Sequence, residues 1–97
     1  MRLVWQNHAR VELREAVRFY RDNAGYRIAG DFRDAVVRTA EQLREHPEIG
    51  LRIDHNARRI LVDDYPYSLI YRFEPSSVII IAVAHHSRRP GYWVERR

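Results

Sequence analysis

The chain has 97 residues, 45% of them hydrophobic, and no cysteine; that is enough for one domain, 1–97, with a sizeable core, and it excludes disulfides and thiolate metal sites. All seventeen basic residues are arginine, against thirteen acids, for a formal net charge of +4, and the lack of lysine excludes any mechanism that needs a lysine amine. The longest apolar run is the seven residues from Val78 to Ala84, far below a membrane span, and Met1 to Trp5 is too short for the core of a signal peptide, so a cytoplasmic protein with no membrane partner is expected.

Arg2 to Trp5 reads as a short strand. Asn7 is placed as the N-cap of a helix over about 8–22. Its apolar residues Ala9, Leu13, Ala16, Val17 and Tyr20 fall within an arc of roughly 100° at the helical period. Gly25 lies just past this pattern, as a stop signal would. A second helix is expected over about 26–45, with Ala29, Phe32, Val36, Thr39, Ala40 and Leu43 on its apolar side. Pro47 and Gly50 end it. The short connection predicts an antiparallel helical hairpin.

The second half changes period. Leu51 to Asp54 alternates apolar and polar residues, and Arg58 to Asp63 is another short strand candidate. Tyr67 to Phe73 places Tyr67, Leu69, Tyr71 and Phe73 on one face and Ser68, Ile70 and Arg72 on the other. Glu74 to Ser77 is a turn. Val78 to Ala84 is apolar on both faces, which predicts a central strand. The expected fold is α+β: β-α-α-β-β-β, with the hairpin packed on one face of a small, mainly antiparallel sheet.

The basic residues are concentrated at the end. His85 to Arg97 holds four arginines against one acid, a formal +3, whereas residues 1–84 hold thirteen arginines against twelve acids. Guanidinium, imidazole and phenol groups together suit phosphate or an acidic protein partner. His85 and His86 are adjacent, and neighbouring strand residues point to opposite faces. One of them therefore faces a site while the other packs, and either can move a proton near neutrality.

Arg88, Arg89, Tyr92 and Trp93 have two readings. Either the arginines neutralise phosphate while the aromatics stack on bases, or the segment is a basic tail with Trp93 folded back as an apolar plug. The Pro90-Gly91 pair favours a defined path. Arg10, Arg14, Arg18 and Arg21 form a stripe on the first helix, away from its apolar side. They suit an acidic partner, or simply a solvated face with Glu12 and Glu15 nearby. Arg58 and Arg59 extend the basic surface unless Asp63 and Asp64 neutralise them. His8, His46 and His55 are scattered, so neither a metal nor a cofactor is expected.

With these residues in hand, the chain resembles the RelE/ParE toxins. The resemblance rests on the element order, on the phrase Tyr65-Pro66-Tyr67-Ser68-Leu69-Ile70-Tyr71-Arg72-Phe73, and on the ending Val83 to Trp93. It implies the toxin half of a bacterial type II toxin–antitoxin module, or plasmid stabilisation protein. Such a toxin is held inactive by a cognate antitoxin in a hetero-oligomer. The arginine face of the first helix (Arg10, Arg14, Arg18, Arg21) would then receive an acidic or amphipathic antitoxin segment.

RelE-like members cleave mRNA on the ribosome by attack of the 2′-hydroxyl on phosphorus. ParE-like members inhibit DNA gyrase. In the nuclease reading, His86 is the base or acid, Arg88 and Arg59 stabilise the phosphate, and Tyr92 orients the RNA or serves as acid. His85, Arg58, Arg89 and Trp93 would contact nucleic acid or another target. Ser68 stands where nuclease members carry a phosphate-binding arginine, and the Tyr-Pro-Tyr and Arg-Arg-Pro phrases are similar to the ParE side. The leading expectation is therefore a ParE-like toxin. The alternatives are a metal-independent endoribonuclease and a non-toxic binding or repression module.

Overall fold

The computed structural model describes residues 1–96. Its elements are β1 (Arg2–Trp5), α1 (Asn7–Ala24), α2 (Tyr26–Glu45), β2 (Leu51–Arg52), β3 (Arg58–Leu61), β4 (Tyr67–Glu74) and β5 (Ser77–His85). The five strands form one sheet in the order β1-β5-β4-β3-β2. β1 runs parallel to β5, and the other pairs are antiparallel. The expected α+β layering holds, with the hairpin on one face and β5 inside the sheet. Among the described residues no helix is long and apolar enough to cross a membrane.

Three local readings are corrected. Asn7 is the first residue of α1, not its cap; Gln6 holds the cap position in extended conformation and makes no side-chain cap hydrogen bond. The described residues hold five strands where the expected order has four, because the alternating stretch at Leu51 forms a two-residue β2, Leu51–Arg52, paired with Arg58–Arg59. The expected strand to Asp54 stops short because His55 and Asn56 take positive φ values of 62° and 57°, turning the chain so that Ile53 N–H donates to the Ala57 carbonyl at 2.9 Å. Phe73, at the end of the apolar face of β4, is 38% exposed.

The main core lies between helices and sheet. Ala9 and Ala16 of α1 and Phe32, Val36 and Leu43 of α2 meet Leu69, Tyr71, Val78, Ile80 and Val83 of the central strands. Small residues on α1 let the helix sit close to the sheet. Tyr20, Phe32, Tyr65 and Tyr67 close the end near the hairpin turn, with ring centroids 4.8 to 6.2 Å apart. Gly25 joins the helices at φ 91°, a backbone state that a side chain would strain.

β5 contains a feature that its seven apolar letters conceal. Ile70 pairs with Ala82 and Tyr71 with Ile80, so Ile81 is an extra residue, a bulge. Val78 and Ile80 before it, and Val83 after it, all face the helices. Ile79, Ile81, Ala82 and Ala84 belong to a second cluster on the outer face. The bulge shifts the alternation by one, so the last turns of β5 keep an apolar side in each layer.

Gly50 is buried where the chain leaves α2 for β2. Its N–H donates to Tyr71 Oη at 2.9 Å, and that hydroxyl donates to the Pro47 carbonyl at 2.7 Å. A Cβ on Gly50 would stand 2.7 Å from Tyr71 Cε1. Tyr71 is fully buried and has no room to yield. Gly50→Ala should therefore destabilise the fold by about 3 kcal/mol, read as a lower urea midpoint with an unchanged slope.

Candidate functional site

The outer face of the sheet is closed by the C-terminal segment. Beyond His85 the chain runs as successive turns. Arg88 N–H donates to the His85 carbonyl, Tyr92 to Arg89, Val94 to Gly91 and Arg96 to Trp93, at 2.9 to 3.2 Å. Gly91 takes φ 77° within this path. Trp93 is 5% exposed and packs with Ala57, Ile70, Ile81 and Ala82. The plug reading of Trp93 is the one its burial supports. Its indole forms a wall and leaves little surface for stacking on a base. Arg97 lies outside the described residues.

A cleft of about 550 Å³ opens beside this segment. Its lining brings together Arg59, Ser68, His85, His86, Arg88, Arg89, Tyr92 and Trp93, and adds His55 and Asp54. Both terminal histidines reach it, because the strand ends at His85 and the following turn swings His86 round. His86 Nε2 lies 3.1 Å from Ser68 Oγ. His85 stacks edge-on against Tyr67 at 5.0 Å, and its Nδ1 is 2.7 Å from Ser87 Oγ. Arg59 and Arg89 are exposed and form no ion pair among the described residues.

Arg58 is not in this cleft. Its Nη1 donates to the carbonyls of Glu48 at 2.7 Å and Gly50 at 3.0 Å, and its guanidinium lies 5.5 Å from the Phe73 ring. Adjacent residues of β3 point to opposite faces, so Arg58 fastens the turn after α2 while Arg59 faces the cleft. Neither pairs with Asp63 or Asp64 among the described residues.

Tyr92 and Arg88 are held by a residue that sequence reasoning assigned elsewhere. Glu12 was read only as a neighbour of the arginine stripe on a solvated face of α1. Instead it points across the free edge of β5, with its side chain 11% exposed. Its Oε2 accepts from Tyr92 Oη at 2.6 Å and Arg96 Nη2 at 2.9 Å. Its Oε1 accepts from Val83 N–H at 3.0 Å and Arg96 Nη1 at 2.8 Å. Arg88 stands 3.9 Å from Oε2, with its guanidinium 3.8 Å from the centre of the Tyr92 ring. Burial pushes the Glu12 carboxyl up, but the hydrogen bonds from Arg96, Tyr92 and Val83 outweigh it and hold the group below its ordinary value. Burial, reinforced by Glu12, drives the Tyr92 phenol far above its ordinary value.

Ala9, Glu12 and Ala16 share one helix face by their spacing, and both alanines are buried. An acid between two buried alanines was the signal available in the sequence. His55 gave none, since it reaches the cleft only through the turn between β2 and β3.

Arg10, Arg14, Arg18 and Arg21 come together as expected, but not on a purely solvated face. They rim a second groove, of about 530 Å³, whose apolar lining is Leu3, Trp5, Leu13, Val17 and Val37. Arg33 and Glu41 of α2 complete the rim. The apolar stripe of α1 is wider than the sheet covers, and Leu13 and Val17 are only half-buried. Among the described residues no group of three or more His, Cys, Asp or Glu side chains is placed to hold a metal ion.

The fold is similar to that of a solved chain described as the chromosomal ParDE TA system from P. aeruginosa, with a TM-score of 0.79 and 18% sequence identity. That match covers 88% of this chain and 95% of the other. No curated protein matches the sequence. The family model for the ParE toxin of the type II toxin–antitoxin system parDE matches residues 3–90, nearly the whole chain, and the protein belongs to that family.

Proposed function

We propose that this toxin arrests cells by binding DNA gyrase through the outer-face cleft, and that an acidic, amphipathic antitoxin segment silences it by seating in the arginine-rimmed groove of α1. One observation carries the choice of gyrase over RNA. Two groups that a nuclease would use are engaged with Glu12: the Tyr92 phenol donates to it at 2.6 Å, and the exposed Arg88 guanidinium stands 3.9 Å from it. A phenol pushed upward in this way is a poor acid near neutrality. Ser68 also stands where nuclease relatives carry a cation. The exposed basic groups of the cleft, Arg59, His86, Arg88 and Arg89, suit a protein contact with acidic groups.

The test is inducible expression in a bacterium, with pulse labelling of DNA and protein synthesis over the first minutes. DNA synthesis should stop first, with filamentation, and the purified chain should inhibit gyrase supercoiling. No single substitution in the cleft need abolish this, because a binding surface spreads its contacts.

A second reading has its own support in the 3.1 Å approach of His86 Nε2 to Ser68 Oγ beside unpaired Arg59 and Arg89. In it, His86 takes the proton of an RNA 2′-hydroxyl, whose oxygen attacks phosphorus as the P–O5′ bond breaks; the arginines stabilise the crowded phosphate, and the leaving 5′-oxygen takes a proton from the imidazolium or from water. Protein synthesis would then stop first, and His86→Ala should lower mRNA cleavage by about 10²-fold or more. Unchanged cleavage in that variant removes His86 from the chemistry.

A further inference from the structure

β1 ends at Trp5, and its last ladder bond runs from Gln6 N–H to the Ile80 carbonyl. Beyond Ile80 that edge of β5 has no strand neighbour among the described residues. Two side chains take its place: Glu12 accepts from Val83 N–H, and Arg96 Nη1 donates to the bulged Ile81 carbonyl at 3.0 Å. The same two side chains form a forked pair, and the Tyr92 hydroxyl occupies the remaining direction on Glu12. Four hydrogen bonds fill the acceptor directions of a carboxylate. The partners lie 71, 80 and 84 residues away in sequence. One carboxylate thus joins α1, β5 and the C-terminal segment.

Packing alone does not call for this arrangement. Apolar residues of equal volume often stabilise a fold as well as a buried charged cluster does. What a fork onto carboxylate adds is direction. Arg96 and Tyr92 are fixed in angle as well as in distance, and Arg88 is laid on the Tyr92 ring. Arg89 and Trp93 lie next to these fixed points and form part of the cleft wall.

We propose that Glu12 is a positioning residue for the cleft: from the helix layer it reaches round the free edge of β5 and fixes the path of residues 88–96. This rests on the reading of the cleft as the target-binding surface. Glu12 does not touch the target. It acts through Arg96 and Tyr92, which hold the wall bearing Arg88, Arg89 and Trp93.

The test uses the full chain with Trp5→Phe, which leaves Trp93 as the only tryptophan. Glu12→Gln is added, with the exposed Glu15→Gln as a control for lost charge. Glutamine keeps the shape but cannot accept from both Arg96 nitrogens and the phenol together. Expected are unchanged far-ultraviolet circular dichroism, Trp93 emission at longer wavelength, and easier quenching by acrylamide. The inducer needed for growth arrest should rise about 10-fold or more, the scale of one lost charge-assisted hydrogen bond. Arg96→Lys, which keeps the charge and loses the fork, should move both readouts the same way by less; it carries the test if Glu12→Gln does not fold.

Lost toxicity with unmoved Trp93 emission would overturn the proposal, since Glu12 would then act on the target directly. Shifted emission with undiminished toxicity would overturn it too, because the segment would not belong to the active surface. A reference chain that leaves growth unaffected sinks the reading of the cleft instead. The fluorescence arm then decides by itself whether Glu12 fixes the segment.

Discussion

Glu12→Ala should lower the stability of the folded protein by about 3–5 kcal/mol, the usual result of removing one partner from a buried ion pair. The substitution strands an Arg96 guanidinium whose side chain is 14% exposed. It also strands the Tyr92 hydroxyl and the Val83 N–H. Urea titration at neutral pH measures the loss.

The same carboxylate sets an acid limit. Burial raises its pKa, the hydrogen bonds from Arg96, Tyr92 and Val83 lower it by more, and the net position is below the ordinary 4.5. The folded state therefore binds this proton less readily than the unfolded chain does. The stabilisation is complete above about pH 4.5 and is lost as the pH falls through the lower folded value. The unaltered protein should lose stability on the acid side more steeply than Glu12→Ala. Equal urea midpoints at neutral pH, with equal acid slopes, would show that the clamp contributes nothing.

Reversing two arginines of the groove, R14E with R18E, should uncouple the toxin from its antitoxin by about 10²-fold or more. Both rim an apolar floor made by Leu3, Trp5, Leu13, Val17 and Val37. The double reversal changes the local charge by four units in front of an acidic segment. The groove lies in the helix layer and the cleft on the outer face of the sheet, so toxicity should persist while co-expressed antitoxin no longer restores growth. Affinity of the unaltered pair should fall with added salt, and the reversed variant should lose most of that dependence. Full rescue of R14E/R18E by the antitoxin would place the antitoxin on another surface.

The elements were legible because their periods are. Ala29, Phe32, Val36 and Leu43 mark a helix by spacing, and all four are buried. Tyr67, Leu69 and Tyr71 alternate with Ser68 and Ile70 as a two-faced strand must. The bulge at Ile81 was not legible, since an unbroken apolar run has no phase to lose. Neither was the early end of β2, which is set by a turn with positive φ at His55 and Asn56. His86, Arg59 and Arg89, nominated by residue type, all line the cleft. The role of Glu12 was missed because helical spacing tells which face a residue occupies, not which distant segment it meets. Its partners arrive only after more than seventy residues of chain.

The pairing of β1 with β5 has a consequence for how the toxin comes into being. The first strand made must wait for the last before it has a neighbour, and Glu12 must wait for Arg96. During synthesis the amino-terminal half, with its hairpin, has no sheet on which to bury Phe32 or Leu43. Long-range contacts of this kind slow folding, because loop closure must precede them. The cluster on Glu12 therefore closes only after Arg96 has been made. A chain that stopped a few residues before Arg96 would lack the fork onto Glu12, and the segment beyond β5 would lose that anchor.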